Sequence, residues 1–389
     1  MSACIVGWAH TPFGKHPEED VESLIVRVTQ DVLAHSELSA ADVDEVVLGT
    51  FNEGFSPQGF PASLILQADN ELRFKPAVRV ENACATGSAA IHHGLRAIES
   101  GQARLVLVVG VEKMTALSGP EIGNTLLKAA YLKEEGDIKG GFAGVFARIC
   151  DLYYQKYGNQ SDALARIAAK NHANGVHNPL AQIQKDLGYD FCRTLSDKNP
   201  AVIGNLKRTD CSLVSDGAAA IVLADEETAR GMNNAVRFKS VSHVSDFLPM
   251  SKRDIIQFEG CTRAWQQALQ AASVTLDDLS FVETHDCFTI AELIEYEAMG
   301  LTPPGQGYRA LEEGWVYPDG KLPINLSGGL KAKGHPVGAT GVSMHVLAAM
   351  QLSGTAPPEI QLANPKLAGI YNMGGAAVAS YVSVLETRD

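Results

Sequence analysis

Phe281-Val282-Glu283-Thr284-His285-Asp286-Cys287-Phe288 is the stretch on which the fold of this chain turns. Its first four residues predict a short strand, and its last four deliver an imidazole and a thiol two residues apart. If the backbone stays extended through Cys287, side chains alternate, so His285 and Cys287 face the same side. A helix is signalled immediately behind them. Thr289 reads as its N-cap and Glu292, three residues on, completes a capping box. A strand-to-helix junction is where open α/β sheets place their chemistry. The stretch therefore predicts a layered α/β fold and reads as half of an active site that needs a partner.

Outward from this stretch, strand-like and helix-like segments alternate. Val46 to Leu48, Leu105 to Val109 and Ala219 to Leu223 predict strands, and Met1 to Gly7 reads as a first strand ending at a glycine turn. Val21 to Ala34, Gly87 to Ser100, Ala163 to Asn171, Arg263 to Ala272 and Ala291 to Met299 predict helices. The chain also repeats itself. Leu38 to Phe51 resembles Val274 to Phe288: an acidic turn, a strand, then a polar loop. Asn82 to Gly101 and Ser327 to Gly354 both run from a Gly- and Ala-rich loop into an apolar helix. Ser215 to Asp225 resembles Met373 to Glu386, a glycine turn into a last strand. The shared order predicts a duplicated α/β unit. A stretch rich in Lys, Tyr, Asn and Gln is inserted in the first copy, which divides the chain into 1–113, 114–205, 206–234 and 235–389.

Composition narrows the function. With 389 residues, 46% hydrophobic and 20% charged, the chain reads as an ordinary globular protein. No apolar run approaches the roughly 18 residues of a membrane span, and Met1 to Gly7 does not read as a signal peptide. Seven scattered cysteines form no disulfide framework and no CxxC pair that suggests a metal. They point to a reducing, cytoplasmic compartment. A net charge of −13 argues against nucleic-acid binding and requires any anionic ligand to meet a locally basic site.

Three further segments carry chemistry. Val80-Glu81-Asn82-Ala83-Cys84-Ala85-Thr86-Gly87-Ser88 enters a helix directly, so Cys84 is expected near unpaired amides that favour its thiolate. A buried structural thiol is the competing reading. Asn325 to Gly341 holds five glycines in seventeen residues and fixes His335 within a loop suited to close backbone approach. It lacks the Lys-Ser/Thr of a phosphate loop. Tyr371-Asn372-Met373-Gly374-Gly375-Ala376-Ala377 reads as a turn whose amides point inward or as a plain β-turn. Two matching loops, one with Cys84 and one with His335, suit a pseudo-twofold site.

VENACATGSAA, HDCF, GGLKAKGHPVGATG and NMGGAA occur in the order found in thiolases, and the chain resembles the sterol-carrier-protein type with its acetyl-CoA acetyltransferase relatives. The resemblance implies duplicated five-layered α-β-α-β-α halves with an inserted, CoA-binding loop domain. It implies an acyltransferase of lipid and fatty-acid metabolism whose substrates are acyl-CoA and CoA, with no permanently bound cofactor and no metal. It implies a homodimer or homotetramer. Cys84 would be the acyl-accepting nucleophile, His335 its base, Cys287 the acid/base thiol, and His285 a donor to the thioester or enolate oxygen. Gly374 and the amide of Cys84 would form a second oxyanion hole. Lys207 and Arg208 are basic candidates for CoA. Many thiolases keep their acid/base Cys where this chain has Asn372, so Cys287 must replace it.

That set of residues predicts reversible thiolysis of a 3-ketoacyl-CoA. A decarboxylating ketoacyl synthase is disfavoured by Cys287. A carbon-acyltransferase with partner subunits and a non-catalytic CoA- or lipid-binding scaffold are the remaining alternatives. Two neighbouring reactive thiols also predict sensitivity to oxidation.

Overall fold

The run Leu105–Glu112 is buried along its whole length, as expected of a strand covered on both faces. Leu105, Leu107 and Val109 pack with Leu24, Ile25 and Val28 on one side. Val106 and Val108 pack with Ile91, Leu95 and Val342 on the other. Each such side chain contributes about 1.5–3 kcal/mol through burial. In the computed structural model, which describes residues 3–232 and 234–388, this run is the fourth of eleven strands. They are β1 Ala3–His10, β2 Glu45–Gly49, β3 Ala77–Val80, β4 Leu105–Glu112, β5 Ala201–Ile203, β6 Leu206–Lys207, β7 Gly217–Asp225, β8 Val236–Ser245, β9 Phe281–Glu283, β10 Leu367–Gly374 and β11 Ala379–Thr387. β5 and β6 form a separate hairpin, and the other nine make one sheet in the order β3-β2-β4-β7-β1-β8-β11-β10-β9.

The topology repeats. β7 lies antiparallel between β4 and β1, and β11 lies antiparallel between β10 and β8. β2 runs parallel to β4 as β9 does to β10. Even the approach to these strands is copied: Ala40–Asp42 and Leu276–Asp278 are 3₁₀ turns, closed by Ser39/Asp42 and Thr275/Asp278 capping boxes. The halves join where Cys4 and Ile5 of β1 pair with Arg237 and Val236 of β8.

Helices complete the layers. Val21–Ser36 covers the outer face of the first half and Glu259–Ala272 that of the second. Each buries one stripe, such as Cys261, Ala264, Trp265, Ala268 and Ala272. Between the halves, Thr86–Glu99 packs against Val337–Ser353, which touches strands of both. That last helix is buried on all sides except at Met350 and Ser353. The two central helices meet backbone to backbone: a Cβ on Gly87 would stand 2.6 Å from the Val342 nitrogen, and one on Gly341 would stand 2.3 Å from the Ser88 nitrogen. This close approach brings together the loops that precede the two helices, one with Cys84 and the other with His335.

Between β4 and β7 the chain leaves the sheet to form helices including Phe142–Tyr157 and Ser161–Gly175. Both pack on Thr289–Ala298, the helix behind Cys287. Among the described residues, no helix is long and apolar enough to cross a membrane.

Three local expectations are corrected. Gly7 is not a turn. β1 runs on to His10 with a register shift between Ile5 and Gly7, and a Cβ on Gly7 would lie 2.5 Å from that of Ser36. Phe288, not Thr289, occupies the N-cap, and no side-chain cap forms. Thr289 instead donates to Asp210 at 3.0 Å, and Glu292 is drawn into an ion pair with Lys170 at 2.9 Å. The extended backbone stops at Glu283. Asp286 N–H then bonds to the Thr284 carbonyl and Cys287 N–H to the His285 carbonyl, so consecutive tight turns replace strand alternation at the HDCF element.

Candidate active site

The Cys84 loop is braced before the helix begins. Thr86 accepts from the Asn82 amide at 2.8 Å and donates to the Ala83 carbonyl at 2.6 Å. Ala83 is held at a φ of 48°, a left-handed conformation that a residue with a Cβ adopts at a cost. The amides of Cys84 itself and of Gly375 are directed at the Cys84 sulfur. Gly374 lies one residue earlier, so close to the Asn82 carbonyl that a Cβ there would stand 2.6 Å away. Gly374, expected to serve a second oxyanion hole, and Gly375 thus form the turn that closes on the Cys84 loop.

The HDCF and GHP loops are fastened to each other by Asp286. Its carboxylate accepts from the amides of Leu330 (2.6 Å) and Lys331 (3.1 Å) and from Asn171 Nδ2 (2.8 Å). A Cβ on Gly329 would stand 2.3 Å from that carboxylate, so the second glycine of the loop is needed for the approach. Glu112, at the end of β4, performs a similar task for the next helix by accepting from Gly338 N–H at 2.9 Å and from Phe51 and Asn52.

These braces bring together what the sequence scatters over 252 positions (84 to 335). The Cys84 sulfur, one ring nitrogen of His285 and one of His335 lie within 4.8 Å of one another, all buried. The two imidazoles meet edge to face, with centroids 5.1 Å apart and planes at 83°. Cys287 faces the same cavity of about 390 Å³, whose wall is mostly apolar: Met114, Ile122, Leu126, Phe142 and Phe288. Phe288 is held by stacking on Phe146. Arg208 also lines this cavity. Lys207 does not reach it, being 6% exposed and ion-paired with Asp210 at 2.8 Å, so it is corrected from a ligand contact to a structural ion pair.

Hydrogen-bond partners assign the proton positions on both rings. His335 Nδ1 lies 2.7 Å from Thr340 Oγ1, which donates its own proton to the Pro336 carbonyl. Thr340 therefore accepts from His335 Nδ1–H, and Nε2 is left bare to act as a base. Asn372 Nδ2 donates to the Cys84 carbonyl at 3.1 Å and to His285 Nδ1 at 3.0 Å. His285 Nε2 thus carries the proton, and it is buried without a hydrogen-bond partner among the described residues. His345 is a useful contrast: it bonds Gly341 O and Ser383 Oγ and is a satisfied core histidine.

Electrostatics correct the expected thiolate. Burial pushes Cys84 up to about 12, with Glu112 and Glu81 adding to it, against the lowering by the Gly375 amide. Cys287 is raised well above its ordinary value by burial, then by Cys84 and nearby carboxylates. Burial, followed by the Lys333 charge, lowers His335 to about 3. His285 is lowered well below its usual value by burial, His335 and Lys333. The resting pair is a neutral thiol beside a neutral base.

Thr340, Asp286 and the role of Asn372 escaped sequence reasoning, although all three lie inside motifs already singled out. Cys211, a third thiol on the cavity wall, carried no sequence signal.

A buried thiol beside an imidazole with a bare nitrogen, a second imidazole and a second thiol are thus set between duplicated α/β halves. The chain belongs to the thiolase family: "Thiolase, N-terminal domain" matches residues 3–187 and "Thiolase C-terminal domain-like" matches residues 242–387. It is 32% identical to an acetyl-CoA acetyltransferase of Methanothermobacter thermautotrophicus, over 98% of each chain. It is 32% identical to sterol carrier protein 2 of Bos taurus, covering 96% of this chain and 70% of that one. Among solved structures it resembles an Ltp2-ChsH2(DUF35) aldolase, with a TM-score of 0.84 and 18% identity over 99% of this chain and 98% of that one.

Proposed function

We propose that the protein is a transferase catalysing reversible Claisen condensation and thiolytic cleavage of acyl-CoA thioesters, through an acyl-enzyme on Cys84. The observation that carries this reading is the convergence of Cys84, His285 and His335 within 4.8 Å beside a cavity that also holds Cys287.

In thiolysis, His335 Nε2 takes the Cys84 proton as the sulfur attacks the keto carbon of a 3-ketoacyl-CoA. The bond between C2 and C3 breaks and leaves its electron pair on the enolate of acetyl-CoA. His285 Nε2–H donates to the enolate oxygen, and Cys287 gives its proton to the enolate carbon. CoA then enters, loses its thiol proton to the Cys287 thiolate and attacks the acyl carbonyl. The resulting oxyanion meets the amides of Cys84 and of the Gly374-Gly375 turn, donors of a kind worth about 3–4 kcal/mol each. As the tetrahedral intermediate collapses, Cys84 leaves and recovers its proton from His335. No step needs a resident cofactor, and CoA enters as substrate. Arg208 supplies the local positive charge that a chain of net charge −13 needs to receive it. The free edge of β3 supports assembly with a second copy.

A thiolysis assay over 3-ketoacyl-CoA chain lengths, following loss of the enolate absorbance, tests the reading. CoA-dependent cleavage is expected for at least the shorter chains. CoA binding without cleavage of any of them would favour a non-catalytic scaffold.

The pH dependence is a separate expectation. A base held near 3 is already unprotonated, and a thiol near 12 is still protonated, across the physiological range. Acetylation of Cys84 by acetyl-CoA should therefore show no inflection from either of these two groups between about pH 5 and 9, and an inflection near 7 belongs to Glu112 and Asp286, whose carboxyls burial raises to about 7. The ring is read separately by ¹⁵N NMR, where a His335 titration centred near 6.5 would show that it behaves as an ordinary imidazole.

A further inference from the structure

Cys84, His285 and His335 offer one sulfur and two imidazole nitrogens within 4.8 Å, all buried. This is the donor set of a zinc site, where such atoms surround the metal at about 2.0–2.3 Å. Whether an imidazole binds metal or donates a proton is decided by what its other nitrogen meets. Histidines that bind metals give their remote N–H to an oxygen acceptor. His335 has that arrangement through Thr340. His285 has the reverse. Its Nδ1 faces Asn372 Nδ2 at 3.0 Å, a nitrogen that only donates. The amide cannot turn over freely, because the same Nδ2 is held by the Cys84 carbonyl at 3.1 Å. A flipped Asn372 would set two oxygens against each other. The lone proton of His285 therefore sits on Nε2, where it blocks a metal and is available to an oxyanion.

We propose that Asn372 is a positioning residue that fixes His285 as an Nε2–H donor and so keeps the Cys84–His285–His335 cluster an oxyanion-binding site and not a site for soft divalent cations. The importance of that donor rests on the thiolase reading, but the tautomer and the metal selectivity do not depend on it. The two rings are thereby held in opposite tautomers, one as base and one as donor, although both are buried and neutral.

Asn372→Asp inverts the arrangement at almost constant shape, at the cost of an oxygen set against the Cys84 carbonyl that Nδ2 otherwise serves at 3.1 Å. The atom facing His285 becomes an oxygen that accepts Nδ1–H and leaves Nε2 bare. Two readouts independent of turnover test the proposal. In [¹⁵N]histidine-labelled wild-type protein, His285, assigned by its loss in His285→Gln, is expected as the Nε2–H tautomer and His335 as Nδ1–H. His285 found as Nδ1–H would overturn the proposal. Co²⁺ titration, followed through its thiolate charge-transfer band, is expected to show binding at least about tenfold tighter in Asn372→Asp than in wild type. That gain should vanish when Cys84→Ser is added. Equal Co²⁺ affinity in wild type and Asn372→Asp would also overturn the proposal. Should Asn372→Asp fail to fold, the wild-type tautomer decides the matter alone.

Discussion

Cys287→Ala is expected to leave acetyl transfer onto Cys84 nearly intact while slowing carbon–carbon bond formation and cleavage by about 10²–10⁴-fold, the usual contribution of one placed proton-transfer group. The division follows from geometry. His335 and the Cys84 and Gly375 amides surround the acylation step, and none of them depends on the Cys287 sulfur. The Cys287 backbone is anchored separately, its carbonyl accepting from Ser212 N–H at 2.9 Å, so truncation should not disturb the loop. Its thiol, raised by burial and facing the cavity beside Cys84, is suited to hand a proton to a carbanion. Asn372 cannot substitute, since both its amide bonds are spent on the Cys84 carbonyl and His285. Measuring acetylation and condensation on the same preparation separates the steps. Full condensation activity in Cys287→Ala would remove the thiol from the mechanism.

Cys84→Ser is expected to reduce thiolysis by about 10⁴-fold or more, the scale seen when an enzyme loses a nucleophile that acts as one unit with its base. The hydroxyl is a far weaker acid than a thiol already raised to about 12, so neutral His335 cannot ionise it usefully. The fold should survive. Cys84 is 4% exposed and its loop is braced by Thr86 and Asn82, not by the sulfur. A fall in activity without a fall in melting temperature identifies a nucleophile; equal loss of both would identify a packing residue.

The sequence was most legible where periodicity and repetition agreed. Leu105 to Val109 announced itself as a strand, which the structure extends to Glu112 and covers on both faces, and the duplicated order foretold the repeated sheet topology. The residues that the structure brings together were legible as candidates because each sits at the mouth of a glycine-rich or strand-ending loop. Proton positions were not legible. The tautomer of His335 depends on Thr340 and that of His285 on Asn372, partners set by loop closure and by contact between halves. The expected thiolate at Cys84 failed for a related reason: the helix-start argument was local, whereas the raised pKa comes from burial in the folded chain and from Glu112, which is distant in sequence. The Thr289–Glu292 cap failed because Lys170, Asn171 and Asn325 hold Glu292 in the interior.

The central claim is that Cys84 carries the acyl group while Cys287 moves the proton. Incubation with acetyl-CoA followed by intact-mass analysis and peptide mapping tests it most directly. Wild type and Cys287→Ala should each gain one acetyl group on the peptide containing Cys84, and Cys84→Ser should gain none. An acetyl group mapped to Cys287, or an undiminished adduct in Cys84→Ser, would contradict the account.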